Sequence, residues 1–190
     1  MKTVMSEEIE FFFKNPLEFT EEPGKKSILY LLRRDIMTCF GLDANTNEPI
    51  QSAAFFPGTM AIMAGIDLLA KFYEGNDDIY TGKERFKIFV RAYIDPRHDV
   101  SIYQLRNSLM HSFGTYSKGN KGIDYRFRLD TVSPNLINLI DDNTCLVNIK
   151  RLREQFESAC EQYYQDLFHS KELSQKFMKV YEQYGFIHLQ

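Results

Sequence analysis

Apolar and polar positions recur along this chain with two different periods, and the change of period divides it. From Ser27 to Phe40, the residues Ile28, Leu31, Leu32, Ile36 and Phe40 fall on one helical face behind an N-capping serine, and Gly41 ends the pattern. Asp43 to Gln51 is polar and reads as a loop. Met60 to Tyr73 is apolar almost all round, which predicts a central helix, and Gly75-Asn76-Asp77-Asp78 stops it. Lys83 to about Ile94 places Phe86, Phe89, Val90 and Tyr93 inward and Lys83, Lys87 and Arg91 on an outer stripe. A turn over Asp95 to Asp99 leads into a further helix, with Asp99 or Ser101 placed to cap it and Ile102, Leu105, Leu109, Met110 and Phe113 as its buried stripe. Asp141 to Thr144 opens a long helix to about Phe168, on which Ile149, Leu152, Phe156, Cys160, Tyr163 and Leu167 repeat at three and four. Leu173 to Tyr184 repeats the pattern and Gly185 closes it.

Between these helices the period becomes two. Ile123, Tyr125, Phe127 and Leu129 alternate with Asp124, Arg126, Arg128 and Asp130, the signature of a half-buried strand. Thr131 to Asn135 supplies a turn and Leu136 to Ile140 a return strand. The expected fold is mainly α: a helical bundle with a small inserted β-hairpin at about 122–141, in one domain over residues 1–190. That length is enough for a substantial single core. At the amino end, an acidic helix candidate carries Phe11-Phe12-Phe13 before the breaker Glu21-Glu22-Pro23-Gly24. Three adjacent phenylalanines cannot all face one core, so the cluster packs either into its own bundle or partly against a second subunit.

The scarcest polar chemistry gathers in Leu105-Arg106-Asn107-Ser108-Leu109-Met110-His111-Ser112-Phe113-Gly114. Arg106 keeps its charge at any working pH and offers a planar fork suited to phosphate, while His111 exchanges protons near neutrality. Asn107 lies one helical turn before His111 on the same face and is placed to hydrogen-bond the imidazole or a ligand beside it. Arg106 points about 140° away from His111, so only its long stem brings the guanidinium to the same pocket.

This segment resembles the mark of the HEPN superfamily, an arginine, a polar residue directly after it, and a histidine with four to six residues between it and the arginine: here Arg106, Asn107 and His111, with four residues between arginine and histidine. A tyrosine that one subset carries two residues after the histidine is replaced by Phe113, and Tyr116 follows later. The resemblance implies an all-helical bundle, a homodimer with two motifs facing one cleft, and either metal-independent endoribonuclease activity or a silent scaffold or binding role. In the active form, the 2′-hydroxyl attacks the adjacent phosphate, His111 transfers protons, Arg106 stabilises the charged transition state, and Asn107 orients them. Stress-response, toxin–antitoxin or phage-defence settings, with an antitoxin or regulatory protein as a further partner, belong to the same expectation.

Net charge refines this picture. The total is −3, which argues against a chain coated in nucleic-acid-binding surface. Yet Lys83 to Arg128 holds ten Lys or Arg against four acids, so the rest of the chain carries −9 and the positive field surrounds the motif. Lys87, Arg91, Lys118, Lys121, Arg126 and Arg128 are the candidate contacts to an RNA or nucleotide, against the plainer reading of solvated faces. Cys39, Cys145 and Cys160 lack CxxC spacing and read as buried free thiols. No run of 18 apolar residues and no signal-peptide core near the amino terminus are present, so the expected location is cytoplasmic with no membrane contact. No His and carboxylate spacing suits a metal, the acids of Gly75 to Asp78 lack the alternation of a calcium loop, and no cofactor fingerprint occurs; neither metal nor cofactor is expected. The alternative to the ribonuclease is a silent dimer that binds RNA or nucleotide, or scaffolds a partner.

Overall fold

A computed structural model describes residues 4–15, 24–119 and 122–189. The order is α1 (Val4–Phe12), β1 (Gly24–Ser27), α2 (Ile28–Cys39), α3 (Phe55–Glu74), α4 (Gly82–Tyr93), α5 (Asp99–Ser112), β2 (Tyr116–Lys118), β3 (Asp124–Asp130), β4 (Ile137–Leu139), β5 (Thr144–Asn148), α6 (Ile149–His169), α7 (Lys171–Tyr184) and β6 (Phe186–Leu189). The fold is mainly α, with 59% helix and 16% strand among the described residues.

Helix α3 forms the axis, packed by α2, α4, α6 and α7. It begins at Phe55, five residues before the apolar run suggested, because Pro57 is tolerated in a first turn whose amide would have no helical partner anyway. By length and composition it is the one helix among the described residues that could cross a membrane, yet Ile62, Met63, Ile66, Leu69, Ala70 and Phe72 are all sealed inside the bundle. Two glycines let neighbours approach it. A Cβ on Gly58 would sit 2.8 Å from the Cβ of Cys39, and one on Gly65 would sit 2.6 Å from Cζ of Phe156.

The amino-terminal phenylalanines pack within the chain. Phe12 is fully buried among Phe72, Phe177 and Tyr181, while Phe13 meets Tyr163 and Tyr164. Phe11 stays half-buried beneath the Lys25 ammonium, 5.0 Å from its ring centroid. Ser27 caps α2 as its position suggested, its side chain accepting from the Tyr30 amide at 3.2 Å. Residues 21–23 of the expected breaker lie outside the described residues.

The inserted β region is larger than one hairpin. Its strand order is β2-β3-β5-β4, with β3 and β5 parallel and the other two pairs antiparallel. The strands expected at 123–129 and 136–140 both form, but they do not pair with each other. Thr144–Asn148 enters between them as β5, and the hairpin is β4–β5. This segment was assigned to the start of the long helix, which begins instead at Ile149 behind Asn148, whose side chain accepts from the Lys150 and Arg151 amides at 3.0 and 3.1 Å. A strand buried on both faces shows no alternation, and Thr144, Cys145, Val147 and Asn148 are all buried, so period two could not reveal it. A second, two-stranded sheet joins β1 to β6, which follows α7.

Asp77 ties the end of α3 to α4 and α7. It accepts from Lys71 (3.1 Å), Arg85 (3.1 Å) and the Tyr184 hydroxyl (2.7 Å). Burial pushes its carboxyl upward, but the Tyr184 and Lys71 hydrogen bonds and the Lys71 and Arg85 charges outweigh it and hold it below the ordinary value. Such a group stabilises the fold above the ordinary carboxylate value of about 4, and that contribution disappears as pH falls through the lower folded value. Asp77→Asn is therefore expected to lower the urea midpoint at pH 7, with the gap to wild type shrinking below about pH 4; a pH-independent gap would refute the linkage. Gly65→Ala should cost about 1–3 kcal/mol through overpacking against Phe156, measured by chemical denaturation.

Candidate functional site

Helix α5 carries the site on its last two turns. Ile102, Leu105 and Leu109 are fully buried, and their stripe fixes the rotation of the helix. His98 occupies the N-cap position and no side chain caps the helix; Asp99 instead pairs with Arg91 at 3.1 Å, so neither Asp99 nor Ser101 plays the capping role expected of it. At the other end the chain turns left-handed at Phe113 (φ 47°). That turn removes Phe113 from the buried stripe to which its spacing assigned it and leaves it 73% exposed. It also reverses the chain into β2, which docks on α5 through a buried hydrogen bond from Ser117 Oγ to Gln104 Oε1 (2.7 Å).

Arg106 reaches His111 despite the angle between them. Its Nη1 donates to His111 Nε2 at 2.9 Å and to Asn107 Oδ1 at 3.2 Å. Asn107 thus holds the guanidinium rather than the imidazole, a departure from the role its one-turn spacing suggested. A guanidinium can only donate, so His111 Nε2 is the acceptor in this contact. The other side of the fork is held by Asp67 of α3, whose Oδ2 accepts from Nη2 at 2.6 Å and Nε at 3.2 Å. Both partners are about three-quarters buried, and the two-point contact fixes the plane of the guanidinium.

His111 and Asn107 open onto a cleft of about 510 Å³ shared with Tyr103, Ser112, Tyr116, Ser117 and Lys118. Tyr116 donates to Asp124 across the β2–β3 pair, and that hydrogen bond is the main reason its phenol is shifted upward and stays protonated. Arg126 is the register partner of Tyr116 and shares its face, so this cation flanks the cleft. The arrangement offers an imidazole that accepts from a fixed guanidinium behind it, with Lys118 and hydroxyls around the cleft, a set that can bind a phosphodiester and move protons about it.

The other sequence candidates divide. Lys118 lines the cleft and Arg126 flanks it. Arg128 lies one strand repeat further along β3, opposite Leu146. Lys87 bonds Glu84 at 3.1 Å, and Arg91 is bound at the start of α5, about 18 Å along the helix from His111. None of these three lines the cleft: Lys87 and Arg91 are drawn to acids elsewhere along α4 and α5, and Arg128 lies further along its strand. Lys121 lies outside the described residues. The spacing argument missed Asp67, Tyr103, Ser112 and Tyr116. Asp67 had a signal, since it is the only charged residue between Phe55 and Ala70, and an isolated charge on a core helix requires a partner. Tyr103 had one too, since it lies one helical turn before Asn107 on the face that leads to His111; Tyr116 had none, because the left-handed turn that folds β2 onto α5 is not encoded by a glycine. Cys145 and Cys160 are buried free thiols as expected, while Cys39 is half-buried.

No protein-family model, no curated protein and no solved structure matches the chain.

Asp67→Asn should cost about 1–2 kcal/mol by denaturant titration, since it removes the charge from a partly buried two-point contact. It should also speed solvent exchange of the Arg106 Nε proton; unchanged exchange and stability would show that Asp67 does not hold the guanidinium.

Proposed function

We propose that this chain is a metal-independent endoribonuclease of HEPN type, with Arg106, Asn107 and His111 as its working residues. The observation that carries the proposal is the 2.9 Å approach of Arg106 Nη1 to His111 Nε2 at the mouth of a cleft that also holds Lys118 and two tyrosines. The motif alone required only that the three residues be near in sequence; the guanidinium that meets His111 is also held by Asp67, 39 residues away. In the proposed reaction the 2′-hydroxyl of the substrate loses its proton as its oxygen attacks the adjacent phosphorus, and the 5′-oxygen leaves with a proton, giving a 2′,3′-cyclic phosphate. His111 Nε2 takes up or delivers one of these protons, for a gain of roughly 10²–10⁴. Arg106 stabilises the charge that builds on the phosphorane, and Asn107 together with Asp67 keeps its fork in place. A single histidine does not easily serve both proton transfers, so a second copy of the chain facing the first completes the site. A cytoplasmic setting, in which a regulatory or antitoxin protein restrains the dimer, fits this reading.

One observation favours a silent RNA- or nucleotide-binding or scaffolding dimer as the second reading. The positive charge of Arg106 is already balanced by the Asp67 carboxylate at 2.6 Å, which lessens what it offers a transition state. Cleavage of a panel of single-stranded and structured RNAs in EDTA, with end-group analysis, separates the two. Wild type is expected to leave 2′,3′-cyclic phosphate ends, and folded Arg106→Ala and His111→Ala to lose at least about 100-fold in rate. Binding without cleavage by all three proteins would select the silent reading. Analytical ultracentrifugation should find a dimer at micromolar concentration, and monomer alone would remove the two-copy site.

A further inference from the structure

A second groove, of about 360 Å³, shares Tyr103 and Arg106 with the site, and its walls carry Lys71, Lys83, Arg85 and Arg106 against Asp67 and Asp77. Both carboxylates are consumed internally. Asp67 is bound by Arg106, and Asp77 by Arg85, Lys71 and the Tyr184 hydroxyl. Lys83 makes no ion pair among the described residues; its ammonium stands 5.9 Å from the Tyr103 ring centroid.

Lys83 lies in the first turn of α4, where the helix dipole makes a cation unfavourable. The same turn has no side-chain cap, since Thr81 at the N-cap position makes no such bond. Gly82 leaves it open: a Cβ there would meet only Arg85 Nη2, at 3.8 Å. Beside it, Arg85 is buried with its side chain only 5% exposed, and its Nη1 and Nη2 are satisfied by the Asn76 and Asp78 carbonyls and Asp77. Its Nε is buried with no acceptor. The helix start is uncapped, and its first-turn acid Glu84 is taken by Lys87. Lys83 has no acid partner among the described residues, and Arg85, though paired with Asp77, keeps one donor without an acceptor. An anion in the groove would answer all of these.

We propose that this groove binds the phosphate of a nucleotide unit, held by Lys83 and the opening amides of α4 over the field of Arg85, with the base against Tyr103. The volume suits one nucleotide, and Tyr103 is a wall of both this groove and the His111 cleft, so a bound strand passes from one to the other across it. The inference deepens the ribonuclease reading and rests on it only for RNA as the source of the phosphate; a free mononucleotide presents the same chemistry.

The test uses the full chain and two probes: a fluorescent 2′-O-methyl RNA octamer, which cannot be cleaved by 2′-hydroxyl attack, and AMP. Lys83→Glu is expected to weaken octamer binding roughly tenfold, and Lys83→Ala to lower the salt slope by about one. Lys171→Glu, the same charge change on an exposed residue at the far end of α7, should stay within about twofold. The amide NMR signals of Gly82 and Lys83 should move on titration. Movement with AMP as well as the octamer assigns the site to free nucleotides, and movement with the octamer alone assigns it to the RNA backbone. Failure of both probes to bind, or equal affinity of wild type and Lys83→Glu with unmoved Gly82 and Lys83 amides, overturns the proposal. Lys83-dependent binding without any RNA cleavage leaves this site standing while the ribonuclease reading falls. Cleavage with Lys83-independent binding does the reverse.

Discussion

The carboxylate of Asp67 sits on the axial helix within the otherwise uncharged stretch from Phe55 to Ala70, and a charge there is tolerated only with a partner close by. Arg106 supplies it through two hydrogen bonds to one oxygen. That contact joins the axial helix α3 to α5 and sets how the two are placed along each other. It also solves a geometric problem, because a helix points Arg106 and His111 in different directions. With Nε and Nη2 turned toward Asp67, Nη1 is left to reach His111 and Asn107. The buried stripe of α5 determines which residues face the core, and Asp67 determines where the guanidinium goes.

The walls of the cleft have a different origin. Ser117 and Gln104 exchange a hydrogen bond where both are buried, so β2 is held against α5 by a polar contact that would be costly to leave unmade. The left-handed turn at Phe113 permits this return, and it is a conformation that a bulky side chain seldom adopts. Its cost falls beside the motif, and the result is that Tyr116 and Lys118 stand across from His111. A tyrosine absent from the expected place in the sequence is present in the cleft by way of the sheet.

Charge is also arranged rather than simply counted. A total of −3 conceals a basic centre whose acids are mostly engaged: Asp67 with Arg106, Asp77 with Lys71 and Arg85, Asp99 with Arg91. Lys87 and Arg91, which the helical stripe adds to the positive surface, spend their charge on neighbours. Lys83, from the same outer stripe, remains beside Tyr103 at the start of α4. One stripe therefore contains two cations paired with acids and one, Lys83, with no ion pair among the described residues, a division that depends on where each acid lies and not on helical periodicity.

The chain's periodic pattern by itself determined the mainly α class, the positions of α2, α4, α5 and α7, and the strand at Asp124–Asp130, because each buries one face and so repeats at its own period. The same local chemistry marked Arg106, Asn107 and His111, whose grouping needs only one helix. Tertiary structure alone decided the rest. It placed β5 between β3 and β4, since a strand buried on both faces carries no alternation to read. It paired β1 with β6, two short strands whose hydrogen bonds each satisfy the other and neither of which has a pattern of its own. It brought Asp67 and Tyr116 to the motif from α3 and β2, because side-chain reach and strand pairing join residues far apart in sequence, where periodicity has no range.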